Sequence, residues 1–399
     1  MAKVRHFKNP FEDYNLERAK QVISHDKLHP ESKVVCTVES KWARMANKFQ
    51  NLDPSDYSVY TGTAGIALLR FLKDPEDKTN LREIQQLLPL RKLKNKRLTF
   101  LCGDSGPIAI AAVIYHKLGR RVETVQTVDR CRRLLSLVDA VSDAKADVPN
   151  EYLYGRVGFL FSLLYVSKNI DSSFVPKERI REIIEAIIIC GKNESRAGKF
   201  SCPLMYQWHD LFYLGAAHGV AGILYLLLQA QEHLTDTELN TLIKPTIDYL
   251  ATLKYNSGNY PSSLGSENDK YVQWCHGAPG FLYLFSLASK VYNDPSYLEL
   301  ALKAGEVVWE RGLVRKGYSL CHGVSGNAYC FLQLYQTTQD PKHLYRAIKF
   351  AEWCIVYSKE HEEYTPDRPL SLFEGIAGPM YLLIDIQKPM EAKFPGYTL

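Results

Sequence analysis

Two short stretches, Trp274-Cys275-His276-Gly277 and Leu320-Cys321-His322-Gly323, each set a thiol and an imidazole side by side ahead of a glycine. Thiolates and imidazoles are donors that zinc favours. Two sulfurs and one nitrogen, with a fourth position open, make a catalytic shell. The residues alone leave His276 and His322 equally eligible as the nitrogen donor, and a closed structural site using both histidines satisfies the same arithmetic. A third histidine, His218, precedes Gly219 with no cysteine before it. In isolation it reads equally well as a hydrogen-bonded core residue; beside a zinc it becomes the natural general acid and base. Cys102, in LCGDSG, stands one slot out of register with the other two cysteines and reads as packing.

These residues belong to a repeat. Gly-Xaa-Xaa-Gly followed by an apolar run occurs at Gly62/Gly65, Gly103/Gly106, Gly155/Gly158, Gly219/Gly222, Gly277/Gly280, Gly323/Gly326 and Gly375/Gly378. The residue before each first glycine is Thr61, Cys102, Tyr154, His218, His276, His322 and Glu374. Repeats from end to end build one architecture, so a single domain over 1–399 is expected, its first 50 residues forming an arm and an outer helix. The runs after the glycines, such as ILYLLLQA and FLYLFSLA, carry few charges, whereas Arg179 to Cys190, Glu299 to Arg311 and His343 to Tyr357 are amphipathic. A helix apolar nearly all round belongs inside and an amphipathic one outside. The expectation is an all-α chain, an α/α toroid of seven inner and seven outer helices, closed because the inner helices are too apolar to line a wet groove. Their glycine-headed N-termini would gather at one end, where partial positive charge suits anions and thiolates. Loops from Asn256 to Tyr271 and Ser358 to Leu370 are expected to shape the pocket there.

Composition narrows the partners. A net charge of +5 on 399 residues is small, and no dense Lys/Arg block with interleaved aromatics appears, which argues against nucleic acid. The basic patch from Arg91 to Arg97 reads as a solvated loop, with weak peripheral contact to anionic lipid as the lesser alternative. No apolar run is long enough to span a bilayer. The first residues have no apolar signal core, and Ala2 stands where myristoylation needs glycine. Nine scattered cysteines then read as reduced thiols in a cytoplasmic protein.

The motifs YTGTAG, TFLCGDSGP, YGRVG, GAAHGVAG, WCHGAPG, KGYSLCHGVSGNAY and SLFEGIAG, with NPFEDYN and FPGYTL near the two ends, together resemble the eukaryotic LanC-like proteins, relatives of the bacterial lanthionine cyclases. The resemblance covers essentially the whole chain. It implies the α/α toroid, and a zinc held by Cys275, Cys321 and His322, which separates His322 from His276. It implies that His218 is the proton-transfer residue and that glutathione is bound. The family's glutathione lysine maps onto Lys316, and its second segment onto Tyr364, Thr365, Pro366 and Asp367. Tyr364 stands there in place of an arginine, and Arg368 is close enough in sequence to compensate. Arg5 resembles an N-terminal arginine that folds over the pocket in relatives.

The implied activity is transfer of the glutathione thiol to dehydroalanine or dehydrobutyrine residues in proteins. The chemistry stands on its own: a free thiol is only a few per cent thiolate at pH 7, and coordination to zinc deprotonates it. The alkene β-carbon accepts the sulfur, and the enolate then takes a proton at the α-carbon. Three alternatives compete. The first is a glutathione-binding adaptor without turnover, in which the minimal PxxP of Pro366 to Pro369 meets an SH3 domain. The others are lanthionine cyclisation within one peptide, and toroid enzymes acting on carbohydrates or isoprenoids, for which no paired-carboxylate or Asp-rich signature is present.

Overall fold

The computed structural model describes residues 4–94, 97–119, 121–360 and 366–399, and among these the regular structure is almost entirely helical. Apart from isolated bridges, the described strands are the two-residue pair Ile23–Ser24 and Lys27–Leu28. No helix among the described residues is long and apolar enough to cross a membrane.

The chain divides into two compact units that interleave in sequence. One comprises Pro54–Leu253, Ser262–Ser266 and Gly396–Leu399. It holds four glycine-headed helices, Thr63–Lys73, Ser105–Leu118, Arg156–Asn169 and Val220–Gln229, whose side chains are almost all buried. Against them pack amphipathic helices such as Arg121–Leu135 and Lys177–Ala197. The latter shows why it lies outside: Ile180, Ile183, Ile184, Ile187 and Ile188 form one buried face at helical spacing, while Glu178, Glu185 and Asn193 are exposed.

The other unit comprises Met1–Asp53, Lys254–Pro261 and Glu267–Pro395. Its glycine-headed helices are Ala278–Val291, Val324–Thr338 and Ala377–Asp385. The first two pack most closely on the amphipathic helices that follow them, Pro295–Arg311 and Pro341–Glu360. The third takes its outer partner from the beginning of the chain, Lys33–Ala46.

The glycine repeat has a geometric cause. The second glycine of a motif lies in the first helical turn, against the carbonyl oxygen of the residue six positions earlier. A Cβ on Gly222 would overlap the Ala216 carbonyl, and one on Gly326 the Leu320 carbonyl. Backbone cannot step aside as a flexible side chain can, so only glycine fits. Gly277 carries a further demand, a φ of +94°, which disfavours every L side chain. With the loops folded this tightly, neighbouring motifs bond main chain to main chain. Tyr60 donates to the Leu101 carbonyl at 2.9 Å and Tyr152 to that of Ala217 at 3.2 Å. In the other unit Cys275 donates to the Cys321 carbonyl at 3.3 Å, and Cys321 to that of Phe373 at 3.0 Å.

Below this second pair of rungs lies an aromatic floor. Phe394 stacks on Trp274 at 5.0 Å and meets Phe373 and Tyr329 at 6.0 and 5.5 Å. Its segment is fastened by Asp385, whose Oδ2 accepts the Tyr329 hydroxyl and the Lys393 amide, both at 2.9 Å. Burial pushes the Asp385 carboxyl up to about 7.

Two outcomes are expected. Gly326→Ala should lower stability by about 2 to 3 kcal/mol in a denaturant titration, since the Leu320 carbonyl must move. Asp385 is raised in the folded state, so its contribution is fully present below the unfolded carboxylate value near 4 and is lost as pH rises through about 7. Asp385→Asn should therefore flatten the fall in melting temperature between pH 5 and 8.

Candidate functional site

The chemistry predicted from the sequence falls into two groups, one in each unit. In the 267–395 unit the rung between Cys275 and Cys321 sets the two thiols side by side. The Cys321 thiol donates to the Cys275 sulfur, and Gln273 Nε2 donates to it as well, at 3.1 Å. With Lys316 close by, these contacts hold Cys275 below the ordinary thiol value although burial pushes the other way. Other cysteines show the contrast. Burial drives Cys131 and Cys202 up to about 11 and carries Cys102, Cys330 and Cys354 higher still. A thiol pushed up is a poor nucleophile and metal ligand.

His322 follows Cys321 directly and is buried. Burial first, and the Lys316 charge second, push its imidazole down to about 3, so it is neutral at physiological pH and able to donate a lone pair to a metal. Among the described residues no group of three His, Cys, Asp or Glu side chains is gathered closely enough to hold a metal ion as it stands. The donor chemistry nevertheless fits zinc: two buried, adjacent thiols, one already biased toward thiolate, and a neutral imidazole next in the chain. His276, the other eligible histidine, lies beside Tyr271 at 5.6 Å between ring centres.

The described members of the predicted anion-binding set lie in the same unit as the thiols. Lys316 acts electrostatically on Cys275, His322 and Glu374. Glu374 is raised by burial and by Asp367, against Lys316 and Arg368, so all four belong to one cluster. Arg368 also meets Asp53 at 3.4 Å in an exposed pair, worth little by itself. Arg5 is brought in by the N-terminal arm: residues 5–7 run antiparallel to 313–315, through Phe7 N–H to the Leu313 carbonyl and Arg315 N–H to that of Arg5. Its guanidinium lies over the Tyr271 ring at 4.8 Å. Pro366 is buried while Asp367, Arg368 and Pro369 are exposed, which is a poor presentation of a PxxP ligand. Tyr364 and Thr365 lie outside the described residues, as does part of the loop from Ser358 to Leu370.

The other expected loop, Asn256 to Tyr271, serves the thiol loop from behind. Asn259 caps the start of Ala278–Val291 through its Oδ1 at 2.8 Å and bonds Asp269, which Arg311 clamps. A cavity of about 500 Å³ beside it, lined by Lys254, Tyr255, Leu300, Lys303 and Glu310 among others, takes in none of the predicted site residues.

In the 54–253 unit His218 Nδ1 lies 2.6 Å from Glu151 Oε2. Glu151 is nearly inaccessible and also accepts the backbone N–H groups of Leu153 and Tyr154. A carboxylate only accepts, so Nδ1 is the donor in this contact. The loop leading to Glu151 is organised by Arg156, whose buried guanidinium bonds the carbonyls of Val141, Asp143, Ala146 and Val148. The imidazole sits among aromatic rings, with Trp208 at 4.2 Å and 14°, Tyr154 at 6.2 Å and 12°, and Tyr213 at 5.9 Å.

Sequence reasoning missed Glu151 and Gln273, although a signal existed. Four residues before each first glycine stand Ser58, Thr99, Glu151, Gly215, Gln273, Ser319 and Ser371. In several copies this side chain caps its own turn, as Ser58 does for Thr61 and Ser371 for Glu374. The two long polar members belong to the two reactive groups.

Known proteins of similar sequence and fold identify the family. A chain from Danio rerio named Glutathione S-transferase LANCL1 is 43% identical over 417 aligned residues, covering 100% of both sequences. Nisin cyclase has a similar fold, with a TM-score of 0.68 at 17% identity over 90% of this chain and 95% of its own. The α/α toroid class expected from the repeat is the one this likeness supports. The profile described as Lanthionine synthetase C-like protein matches residues 53–399, and the chain belongs to that family.

Proposed function

We propose that this protein is a zinc-dependent transferase that adds the thiol of glutathione to dehydroalanine or dehydrobutyrine residues in proteins or peptides. The observation that carries the reading is the Cys275–Cys321 pair, in which one thiol is held down where other cysteines of the same chain are pushed up. A relative of 43% identity named a glutathione S-transferase supports the transferase and its co-substrate. Zinc and the dehydroamino-acid acceptor rest on the donor set and on the chemistry it suits.

Cys275, Cys321 and His322 would hold the metal. Bound there, zinc supplies the charge that keeps a co-substrate thiol deprotonated and nucleophilic. Lys316, with Arg5 and Arg368, would hold the tripeptide's carboxylates by charge-assisted contacts, and Asp367 is suited to its ammonium group. The carbon–sulfur bond forms at the alkene β-carbon, and the electron pair of the double bond moves toward the α-carbon and its carbonyl. His218 Nε2, having taken up the proton that the thiol releases, would then deliver it to the α-carbon. Glu151 accepts the Nδ1 hydrogen, holding the ring in one tautomer and taking up the charge that develops when the imidazole cycles.

Incubation with glutathione and a dehydroalanine peptide should yield a thioether adduct by mass spectrometry. His218→Ala should cut its rate by about 10²- to 10⁴-fold while glutathione binding by calorimetry persists. Cys321→Ala should lose both stoichiometric zinc by elemental analysis and adduct formation. A zinc-free variant with full turnover would overturn the mechanism; tight glutathione binding without any adduct would favour the adaptor.

A further inference from the structure

The segment from Trp208 to Leu211 is a tight turn that carries an indole onto His218. Trp208 and Leu211 exchange both backbone hydrogen bonds, at 2.9 and 3.1 Å, to close a two-residue turn. The residues in the turn, His209 and Asp210, have φ values of 45° and 58°. Two successive left-handed residues are what a tight hairpin needs, and aspartate and histidine are among the residues other than glycine that adopt them. His25 and Asp26 do the same between the two short strands, with φ of 47° and 61°. In the turn at 209–210 the His209 ring also packs edge-on against the Trp208 indole, at 4.1 Å between centres.

What it delivers is Trp208. Just beyond the turn the chain is pinned: Leu264 N–H bonds the Phe212 carbonyl at 2.9 Å, and Leu214 N–H that of Ser262 at 3.0 Å. The indole comes to rest face to face with the His218 ring, 4.2 Å between centres and 14° from parallel. A second ring, Tyr154, is nearly parallel to the indole, at 5.8 Å and 22°. The hydrogen bond from Nδ1 to Glu151 fixes one atom of the imidazole and leaves the ring able to tilt about the N–H···O axis. A face-on indole removes that freedom.

Resting on the proton-transfer role proposed above for His218, we infer that Trp208 is the positioning residue of that histidine. The indole exchanges no proton; it sets the plane in which Nε2 points.

The test compares Trp208→Leu and Trp208→Phe with the unaltered protein, well below their melting temperatures. Two readings are taken: kcat and KM for thiol addition, and the rate at which diethyl pyrocarbonate modifies His218, followed by peptide mass spectrometry. Trp208→Leu should lower kcat by about 10- to 100-fold with the glutathione KM unchanged, as expected for a misplaced catalytic group. It should also speed modification of His218 several-fold, and Trp208→Phe should restore both. Unaltered kcat and modification rate in Trp208→Leu, or a phenylalanine no better than leucine, would overturn the assignment. Should the unaltered protein form no adduct, the thiol-addition reading fails instead, and the modification rates still decide whether Trp208 orders the ring.

Discussion

The approach of a backbone carbonyl to a glycine Cα is the contact on which both reactive groups depend. Because the Leu320 carbonyl fills the place of a Cβ at Gly326, the chain ahead of the helix folds tightly enough for its amide and carbonyl to reach neighbouring loops. Cys275 then bonds to the Cys321 carbonyl and Cys321 to that of Phe373, so the thiols are adjacent as a result of main-chain geometry. Tyr152 and Ala217 form the corresponding rung in the other unit, one residue from Glu151 and from His218 respectively. The aromatic floor of Trp274, Phe373 and Phe394 supports the thiol loops from below. Asparagine and arginine side chains, Asn259 and Arg156, hold the approaching loops by bonding backbone groups.

Electrostatics then distinguish the two groups. In a buried site a nearby charge acts through little screening, so one lysine affects several neighbours. Lys316 favours the thiolate at Cys275, disfavours the imidazolium at His322 and opposes the protonation of Glu374. All three effects prepare electron-rich donors and anionic partners. His218 is governed by a single carboxylate and by ring faces, an arrangement for moving a proton rather than for binding an ion.

Much of this was legible in the sequence, for a physical reason. A glycine required by steric overlap leaves a fixed spacing, and the slots before it inherit that spacing, so Cys275, Cys321, His218, His276 and His322 emerge as candidates from aligning the motifs, and the family resemblance alone separates His322 from His276. Burial of the inner helices and the amphipathic outer faces followed from composition alone. Glu151 and Gln273 were equally periodic, but a polar residue four positions before a glycine reads as an ordinary turn former. Trp208 left no periodic trace, since a His-Asp turn is not a recognisable hairpin signal and its partner His218 is ten residues on. The interleaving of two compact units, with residues 262–266 counted in one and their flanks in the other, depends on long-range packing that local patterns do not encode.

The rungs between glycine loops use main-chain atoms, so the side chains just before each glycine are not needed to form them, although Thr61 also braces its own turn through Asp56 at 2.6 Å. Threonine, cysteine, tyrosine, histidine and glutamate all occupy the same seat in different copies, with the turn conserved around them. Such a frame separates what keeps the protein folded from what it does. New donors, acids or aromatic walls could be seated copy by copy, and a catalytic inventory rewritten, with the underlying architecture left untouched.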